Sequence, residues 1–290
     1  MFVKDNSIAS VLGYFEERLS PTFSSREIKA IAKSFIAKRL NWESSDFLIR
    51  QKDTVSESDL LYFRNAVKRV IAGEPVQYVL GTTFFYNLEI DTDKRALIPR
   101  PETEELVDWM IKDFTSLKEG SLIDIGTGSG CIALAMKKAL PLWSVTAVDI
   151  SNEALSLVAQ NALKNQLEIA LIEDSALNFN EALYADEYTV IVSNPPYIPK
   201  KDSDQMAQHV LDFEPAMALF VSDNDSLIFY QKIGEFALKK LALNGTLYVE
   251  LNENLAKETE ALLNKIGFNK TEMRQDLQGR NRMLKAWMQQ

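Results

Sequence analysis

The sequence predicts an α/β fold in which a mostly parallel, doubly wound sheet follows a small N-terminal helical bundle and a β-hairpin linker. Three observations support this prediction. Helical periodicity fills the front of the chain, strand-like composition begins at Gln77, and apolar strand-like runs alternate with amphipathic helical segments from Ser121 onward. Such alternation is typical of parallel sheets with helices on both faces.

The first 76 residues are predicted to form a helical domain. Ser24 and Glu27 form a capping box, and the apolar residues that follow recur at helical spacing. Three helices are expected, over Ser7 to Leu19, over Ser25 to Leu40, and from after Ser56 to Gly73. We interpret this bundle as a substrate-recognition domain, because its composition and charge differ from those of the rest.

A β-hairpin is predicted to link this bundle to the rest of the chain, over residues 77–95. The segment from Gln77 to Asp91 is rich in Val, Thr, Phe and Tyr, and Tyr86-Asn87 is a candidate turn. After the hairpin, Pro99 to Glu105 combines a stiff entry with acidic residues in the first turn of a predicted helix.

Residues 96–290 are predicted to form the sheet domain. Strands are expected over Ser121 to Ile125, Ser144 to Asp149, Ile169 to Ile172, Tyr188 to Ser193 and Gly245 to Leu251. Helices are expected over Ile132 to Ala139, Glu153 to Asn165, Leu227 to Leu241 and Leu255 to Ile266. Phe268 to Arg274 and Arg282 to Met288, on either side of Gly279, form a predicted terminal hairpin.

Charge and cysteine content narrow the function classes. The net charge is -9, with 12 Lys/Arg against 10 Asp/Glu in residues 1–76 and 20 against 31 in the remainder. An acidic larger part disfavours phosphate-rich partners, so no stable nucleic-acid binding is expected. One cysteine excludes an internal disulfide, and the start of the sequence has no long apolar stretch. We therefore expect a cytoplasmic protein that does not bind membranes.

A glycine-rich turn follows the first strand of the sheet domain. Gly126, Thr127, Gly128, Ser129 and Gly130 end that strand and open a helix, so a ligand can approach the backbone closely. The G-x-G-x-G spacing differs from the dinucleotide pattern G-x-G-x-x-G, which weakens the case for NAD. The alternative is a tight turn without a ligand.

Acidic residues end the next two strands. Asp149 lies where a carboxylate that accepts both ribose hydroxyls is expected, although it can also cap the following helix. Asp174 and Ser175 lie where an adenine ring would bind, and a solvated loop carboxylate is the alternative there. These positions predict a nucleotide-containing ligand at the carboxyl ends of the strands.

The fourth strand leads into Asn194-Pro195-Pro196-Tyr197. An asparagine side chain offers a carbonyl acceptor, and a proline has a backbone carbonyl but no N–H, so Asn194 and Pro195 together present acceptors without a competing donor. Such a pair suits an NH2 group on a π-system, because holding both N–H bonds frees the nitrogen lone pair. Adenine and glutamine both carry such a group. The alternative is a proline-stiffened loop.

These motifs, in this order, resemble the Rossmann-like, class I S-adenosylmethionine-dependent methyltransferases. The flanking segments are similar to those of the protein-(glutamine-N5) methyltransferases that act on peptide chain release factors (the PrmC/HemK family). The segments are Leu97 to Glu104, Gly126 to Gly130, Ile191 to Pro199, Glu214-Pro215 with Ala218-Leu219, and Gly279 to Arg282. The match covers essentially the whole chain and is stronger from Leu97 onward.

The resemblance implies methyl transfer from S-adenosylmethionine to the glutamine of the Gly-Gly-Gln motif in class I release factors, which tunes translation termination. It implies that Asn194 and Pro195 hold the amide nitrogen and that Tyr197 packs on the substrate. Gly126 to Gly130, with Asp149, would hold the cofactor and its product S-adenosylhomocysteine. No metal is required, and a monomer is expected. Arg100, Glu102 and Thr103 would close over the cofactor, or serve only as a turn and helix cap.

Two rival functions stay open from the sequence. An adenine or cytosine amino-methyltransferase would use the same Asn-Pro-Pro-aromatic pattern, but such enzymes extrude the base and usually need a basic surface. A non-catalytic module that only binds the cofactor would keep the fold. His209 is expected to be a loop or surface residue, and Cys131 a small core residue.

Overall fold

The computed structural model describes residues 3–289 and divides into two compact units. The first unit contains the residues up to Gly81 together with Gln208–Phe213, and the second contains Thr82–Ala207 and the chain from Glu214 onward. The helices are α1 Ile8–Leu19, α2 Ser25–Leu40, α3 Asp46–Ile49, α4 Glu57–Ile71, α5 Val76–Leu80, α6 Pro101–Phe114, α7 Cys131–Ala139, α8 Asn152–Lys164, α9 Gln208–Phe213, α10 Ala216–Leu219, α11 Ile228–Lys240 and α12 Ala256–Ile266. Among the described residues, no helix is both long enough and apolar enough to cross a membrane.

The strands are β1 Thr82–Phe85, β2 Leu88–Asp91, β3 Ser121–Ile125, β4 Ser144–Asp149, β5 Ala170–Glu173, β6 Tyr188–Ser193, β7 Ile198–Pro199, β8 Phe220–Val221, β9 Leu241–Glu250, β10 Lys270–Gln275 and β11 Asn281–Trp287. Short 3₁₀ turns occur at Glu181–Leu183, Lys200–Gln205 and Glu253–Leu255.

Local sequence accounts for the helices of the first unit. The predicted capping box at Ser24 and Glu27 is present, and Ser56 with Asp59 forms a second one at the start of α4. Each box satisfies backbone N–H groups that a helix start leaves without partners. The buried faces of α1, α2 and α4 meet in a core that contains the rings of Phe15, Phe35 and Phe63.

The hairpin is shorter than predicted, because the first residues of its expected range are helical. Val76–Leu80 forms α5, which ends at Gly81 in the left-handed conformation (φ +74°). The strand-like composition of this segment gives way to helix because Tyr78 and Val79 are buried there and glycine ends the turn without strain. The predicted turn is present: Tyr86 and Asn87 both have positive φ, as a two-residue hairpin turn requires.

A seven-stranded sheet forms the centre of the second unit, in the order β10-β11-β9-β6-β3-β4-β5. The five strands from β9 to β5 in this order are parallel, and β10 and β11 add an antiparallel edge. The prediction of a mostly parallel sheet is therefore confirmed. Because β3 lies between β4 and β6, the loops after these strands meet at one edge.

Helices cover both faces of this sheet, as alternate residues of β3 illustrate. Leu122 packs into the core under α6, α7 and α8, whereas Ile123 packs into the core under α11 and α12. Both side chains are fully buried. Two buried faces leave only the strand ends open, so the sheet presents its functional groups at the carboxyl edge.

Candidate active site

A cavity of about 330 Å³ opens at the carboxyl edge of the sheet in the second unit. Its size is within the range of small-molecule sites. Of the predicted site residues it is lined by Gly126, Thr127, Gly128, Ser129, Asp149, Asp174, Ser175, Asn194, Pro195 and Pro196. The sequence prediction of one crevice that gathers motifs from four strands thus agrees with the geometry.

The glycine loop leaves open space for a ligand. Gly126 has φ +71°, and a Cβ placed on it would meet no protein atom within 4 Å. Its N–H and that of Thr127 both donate to the Val148 carbonyl, which holds the turn against β4. The backbone at Gly126 is therefore an exposed surface in a fixed position, which suits close approach of a ligand.

Gly130 differs from the other glycines of the loop because it does not line the cavity. It precedes α7 with φ +81°, and a Cβ there would lie 2.8 Å from Cγ1 of Val158. Only glycine satisfies both the positive φ and this close packing. Gly130 therefore shapes the turn, and its contact with a cofactor stays a prediction.

Asp149 at the end of β4 is held in place by the backbone. Its Oδ2 accepts from the Gly128 N–H at 2.9 Å, and its Oδ1 accepts from the Ser151 N–H at 2.9 Å. Burial raises the pKa of the Asp149 carboxyl above its usual value. Each carboxylate oxygen keeps a further acceptor position, so two neighbouring hydroxyl donors can be accommodated.

Asp174 also lines the cavity, but its carboxylate organises the loop after β5. It accepts from the N–H groups of Ser175 and Asn180 and from the Tyr184 hydroxyl, the last at 2.5 Å. These contacts fix the loop over Ser175, which also lines the cavity. An adenine contact by Asp174 or Ser175 stays a prediction.

Asp124 lies behind the glycine loop and is completely buried. Its Oδ2 accepts from the Thr127 hydroxyl at 2.6 Å and from the Ala133 N–H at 3.3 Å. Within the described part of the chain, its Oδ1 has no hydrogen-bond partner. Burial, only partly offset by these bonds, raises the pKa of Asp124 to about 7.

This buried acid predicts a pH-dependent stability. Between its ordinary pKa of 3.8 and about 7, the folded protein retains a proton on Asp124 that the unfolded chain has lost. Asp124 therefore lowers the stability of the folded state as the pH rises through that window. Asp124→Asn cannot titrate, so the melting temperature of the wild type minus that of the variant should fall between about pH 4 and about pH 8. Thermal unfolding of both proteins tests this, and parallel pH curves would contradict it.

Asn194 and Pro195 directly follow β6, and both line the cavity. Asn194 is half-buried, and its Nδ2 donates to Thr103 Oγ1 at 3.2 Å. Its Nδ2 is thus engaged by Thr103. Asn194 and Pro195, the two residues predicted to accept from an NH2 group, therefore line the same cavity as the glycine loop.

Tyr197 is absent from the cavity lining. Its hydroxyl donates to Glu250 Oε1 at 3.2 Å, and Asn252 Nδ2 donates to its carbonyl at 3.1 Å. Burial raises the pKa of the Tyr197 hydroxyl well above its usual value. The ring packs against the core under α11 and α12. Direct packing of Tyr197 on a substrate stays a prediction.

The segment before α6 forms part of the cavity wall. Arg100 donates to Glu214 Oε1 at 2.7 Å, and the Ile98 N–H donates to Glu214 Oε2 at 3.1 Å. Arg100 and Thr103 line the cavity, whereas Glu102 does not. A role of Arg100, Glu102 and Thr103 in closing over a cofactor stays a prediction.

Several residues at or beneath the cavity were not predicted from the sequence. Ile150 and Leu177, both substantially exposed, add apolar surface to the cavity. Glu250 is buried beneath it and receives two hydroxyl groups. An acidic residue at the end of an apolar strand is the only sequence signal for Glu250.

His209 and Cys131 carry side chains that often act in catalysis, but neither is placed to do so here. His209 is exposed on α9, as expected. Cys131 lines the cavity but is mostly buried, and burial raises the pKa of its thiol to about 12. A neutral thiol is a poor nucleophile, so the core interpretation of Cys131 is the better one.

Models of known protein families match parts of both units of the chain. The family model described as PrmC N-terminal domain matches residues 11–81, and that described as Methyltransferase small domain matches residues 103–224. A release factor glutamine methyltransferase of Flavobacterium psychrophilum is 39% identical over 94% of this chain and 96% of its own length. One of Streptococcus pneumoniae is 36% identical over 96% of this chain and 97% of its own.

A solved structure supports the fold alone. The crystal structure of the hMettl16 catalytic domain in complex with MAT2A 3'UTR hairpin 6 aligns with a TM-score of 0.55 and 17% identity. The alignment covers 80% of this chain and 82% of that chain. At such low identity the likeness extends to the sheet and its helices and not to the substrate.

Proposed function

The chain belongs to the family of release factor glutamine methyltransferases, and from this premise we propose the substrate atom and the residues that act on it. The protein transfers a methyl group from S-adenosylmethionine to the side-chain amide nitrogen of the glutamine in the Gly-Gly-Gln motif of class I peptide chain release factors. One observation supports the assignment of the site: Asn194 and Pro195 line the same cavity as Gly126 and Asp149.

The residues present suit the methyl donor. Gly126 leaves open space at the backbone, and Asp149 retains acceptor positions for the two ribose hydroxyls. Ile150 and Leu177 offer apolar surface for the adenine ring. When bound, S-adenosylmethionine supplies an electrophilic methyl group and becomes S-adenosylhomocysteine.

Asn194 and Pro195 act on the substrate amide. An amide nitrogen is a weak nucleophile because its lone pair is delocalised into the carbonyl. Asn194 Oδ1 and the Pro195 carbonyl accept the two N–H bonds, which favours a pyramidal nitrogen with its lone pair free. Both acceptors also stabilise the positive charge that grows on the nitrogen. Once methylated, the nitrogen gives up one of the two held protons to solvent, which leaves a neutral N-methyl amide. The cavity holds the nitrogen in a fixed direction. This orientation contributes the rest of the rate enhancement.

A labelled methyl transfer assay tests this function. The purified protein is expected to label a release factor with the methyl group of S-adenosylmethionine, whereas a release factor whose Gly-Gly-Gln glutamine is alanine should stay unlabelled. The reason is that alanine has no side-chain NH2 group for Asn194 and Pro195 to hold. The control is the circular dichroism spectrum of both release factors, which should be the same. Equal labelling of the two would exclude the glutamine as the acceptor.

Nucleic acid is not the proposed substrate. The part of the chain after residue 76 has 20 Lys/Arg against 31 Asp/Glu, which opposes binding to phosphate. Robust methylation of duplex DNA at physiological salt would overturn this assignment. Since release factors act in translation termination, we place the proposed activity in the cytoplasm. A role of the first unit in substrate recognition stays a prediction.

A further inference from the structure

A buried carboxylate lies directly behind the proposed amide-binding residues. Glu250, at the end of β9, is 1% exposed. Thr103 Oγ1 donates to its Oε2 at 2.6 Å, and the Tyr197 hydroxyl donates to its Oε1 at 3.2 Å. A buried carboxylate is costly unless donors surround it, so its presence here needs an explanation.

The hydrogen bonds from Asn194 to Glu250 run in one direction. A threonine hydroxyl has one proton, and that of Thr103 is directed at Glu250. The Thr103 oxygen can therefore only accept from Asn194, and it does so from Nδ2 at 3.2 Å. If the Asn194 amide were turned over, its Oδ1 would face the Thr103 oxygen with no proton between them. The carboxylate thus determines which end of the Asn194 amide faces Thr103.

We propose that Glu250 and Thr103 are positioning residues that hold Asn194 with its Oδ1 toward the substrate NH2 group. The inference rests on the proposed function, since it assigns a direction to the acceptor used there. A reversed Asn194 would present its own NH2 to the substrate NH2, two donors facing each other. Neither Glu250 nor Thr103 has to touch the reacting atoms for this role.

The charged and titratable surroundings of Glu250 allow the same conclusion to be tested by pH. Arg282 on β11 favours the ionised carboxylate, whereas Glu102 on α6 opposes it. Tyr197 donates to the carboxylate, and Tyr230 on α11 donates to the Glu250 backbone carbonyl. Burial is the largest influence and raises the pKa of Glu250 above its usual value. A protonated Glu250 can itself donate, which frees the Thr103 hydroxyl to turn toward Asn194.

Substitutions at Thr103 separate positioning from packing. Thr103→Val removes the hydroxyl but keeps the shape, and it is expected to lower kcat for release-factor methylation by about 10- to 100-fold, as loss of an orienting partner does elsewhere. Thr103→Ser restores the hydroxyl and should return kcat to within about 3-fold of wild type. In the wild type, kcat should fall at acid pH as Glu250 becomes protonated, and this fall should be absent from Thr103→Val, which has no hydroxyl to turn. KM for the release factor and the Kd for S-adenosylmethionine should change little in both variants.

Thr259→Val is the matched control. Thr259 is fully buried on α12, and its hydroxyl donates to the Leu255 carbonyl away from the cavity. Its loss should reduce the melting temperature, though by less than Thr103→Val does, because Thr259 loses one buried hydrogen bond and Thr103 loses two, while kcat stays at the wild-type value. Equal kcat values for Thr103→Val and Thr259→Val would overturn the proposal.

A second measurement needs no methyl transfer. In the ¹⁵N-labelled full chain, the side-chain NH2 resonances of Asn194 can be assigned by their loss in Asn194→Ala. They should shift in Thr103→Val but not in Thr259→Val. Unchanged Asn194 resonances in Thr103→Val would refute the positioning role whatever the substrate is. A wild-type protein that fails to label the release factor, yet shows these shifts, would refute the proposed function alone.

Discussion

Asn194→Ala is expected to lower kcat for release-factor methylation by about 10²- to 10³-fold, the usual effect of removing one preorganised hydrogen-bonding group at a reacting atom. The substitution deletes the Oδ1 acceptor at the cavity and leaves one N–H of the substrate amide without its partner. The Kd for S-adenosylmethionine should change by less than about 3-fold, because the glycine loop and Asp149 are untouched. Steady-state kinetics and calorimetric titration measure the two quantities.

Asn165→Ala is the matched control for this experiment. Asn165 is half-buried and donates through Nδ2 to the Glu89 and Asn161 carbonyls, and it does not line the cavity. Its loss should cost stability of the order of 1 kcal/mol without a change in kcat. Near-normal turnover of Asn194→Ala would remove Asn194 from the mechanism.

Gly126→Ala is expected to weaken S-adenosylmethionine binding by about 100-fold or more, equivalent to about 2.8 kcal/mol. The added methyl group would occupy the open space where the cofactor approaches the backbone. It would also cost about 1 kcal/mol of stability, because alanine disfavours positive φ. Calorimetric titration of the cofactor, with thermal unfolding in its absence, separates these two effects.

Gly279→Ala is the matched control for Gly126→Ala. It has the same conformational cost of an alanine at positive φ but no expected contact with the ligand. Gly279 has φ +81° and, like Gly126, would place a Cβ in open space, but it lies in the turn between β10 and β11 and does not line the cavity. Both variants should lose similar stability, and only Gly126→Ala should lose cofactor affinity. A similar Kd for both would show that the cofactor does not approach the Gly126 backbone.

The sequence predicted the parts of the fold that local patterns determine. The capping box at Ser24, the turn at Tyr86-Asn87 and the alternation of strands and helices depend on residues close together in the chain, and all appear in the structure. The crevice was also predictable, because the carboxyl ends of neighbouring parallel strands share one edge. The glycine loop, Asp149 and Asn194 meet there.

The remaining differences arise from contacts between distant parts of the chain. Glu250 is buried because Thr103 and Tyr197 supply its donors, and these lie 147 and 53 residues away. The same contact turns the Tyr197 hydroxyl away from the cavity. α5 replaces the start of a predicted strand because burial of Tyr78 and Val79 outweighs β propensity. No local pattern contains this information.

The division of the chain has a consequence for its synthesis. The first unit contains Gln208–Phe213, which the ribosome adds only after β3, β4, β5 and β6. Domains commonly fold one after another as the nascent chain emerges. Here the N-terminal unit lacks one of its helices until Phe213 has left the exit tunnel, by which time four strands of the seven-stranded sheet already exist. During synthesis, the folding of the two units therefore overlaps in time. A nascent chain halted before Gln208 contains neither unit complete.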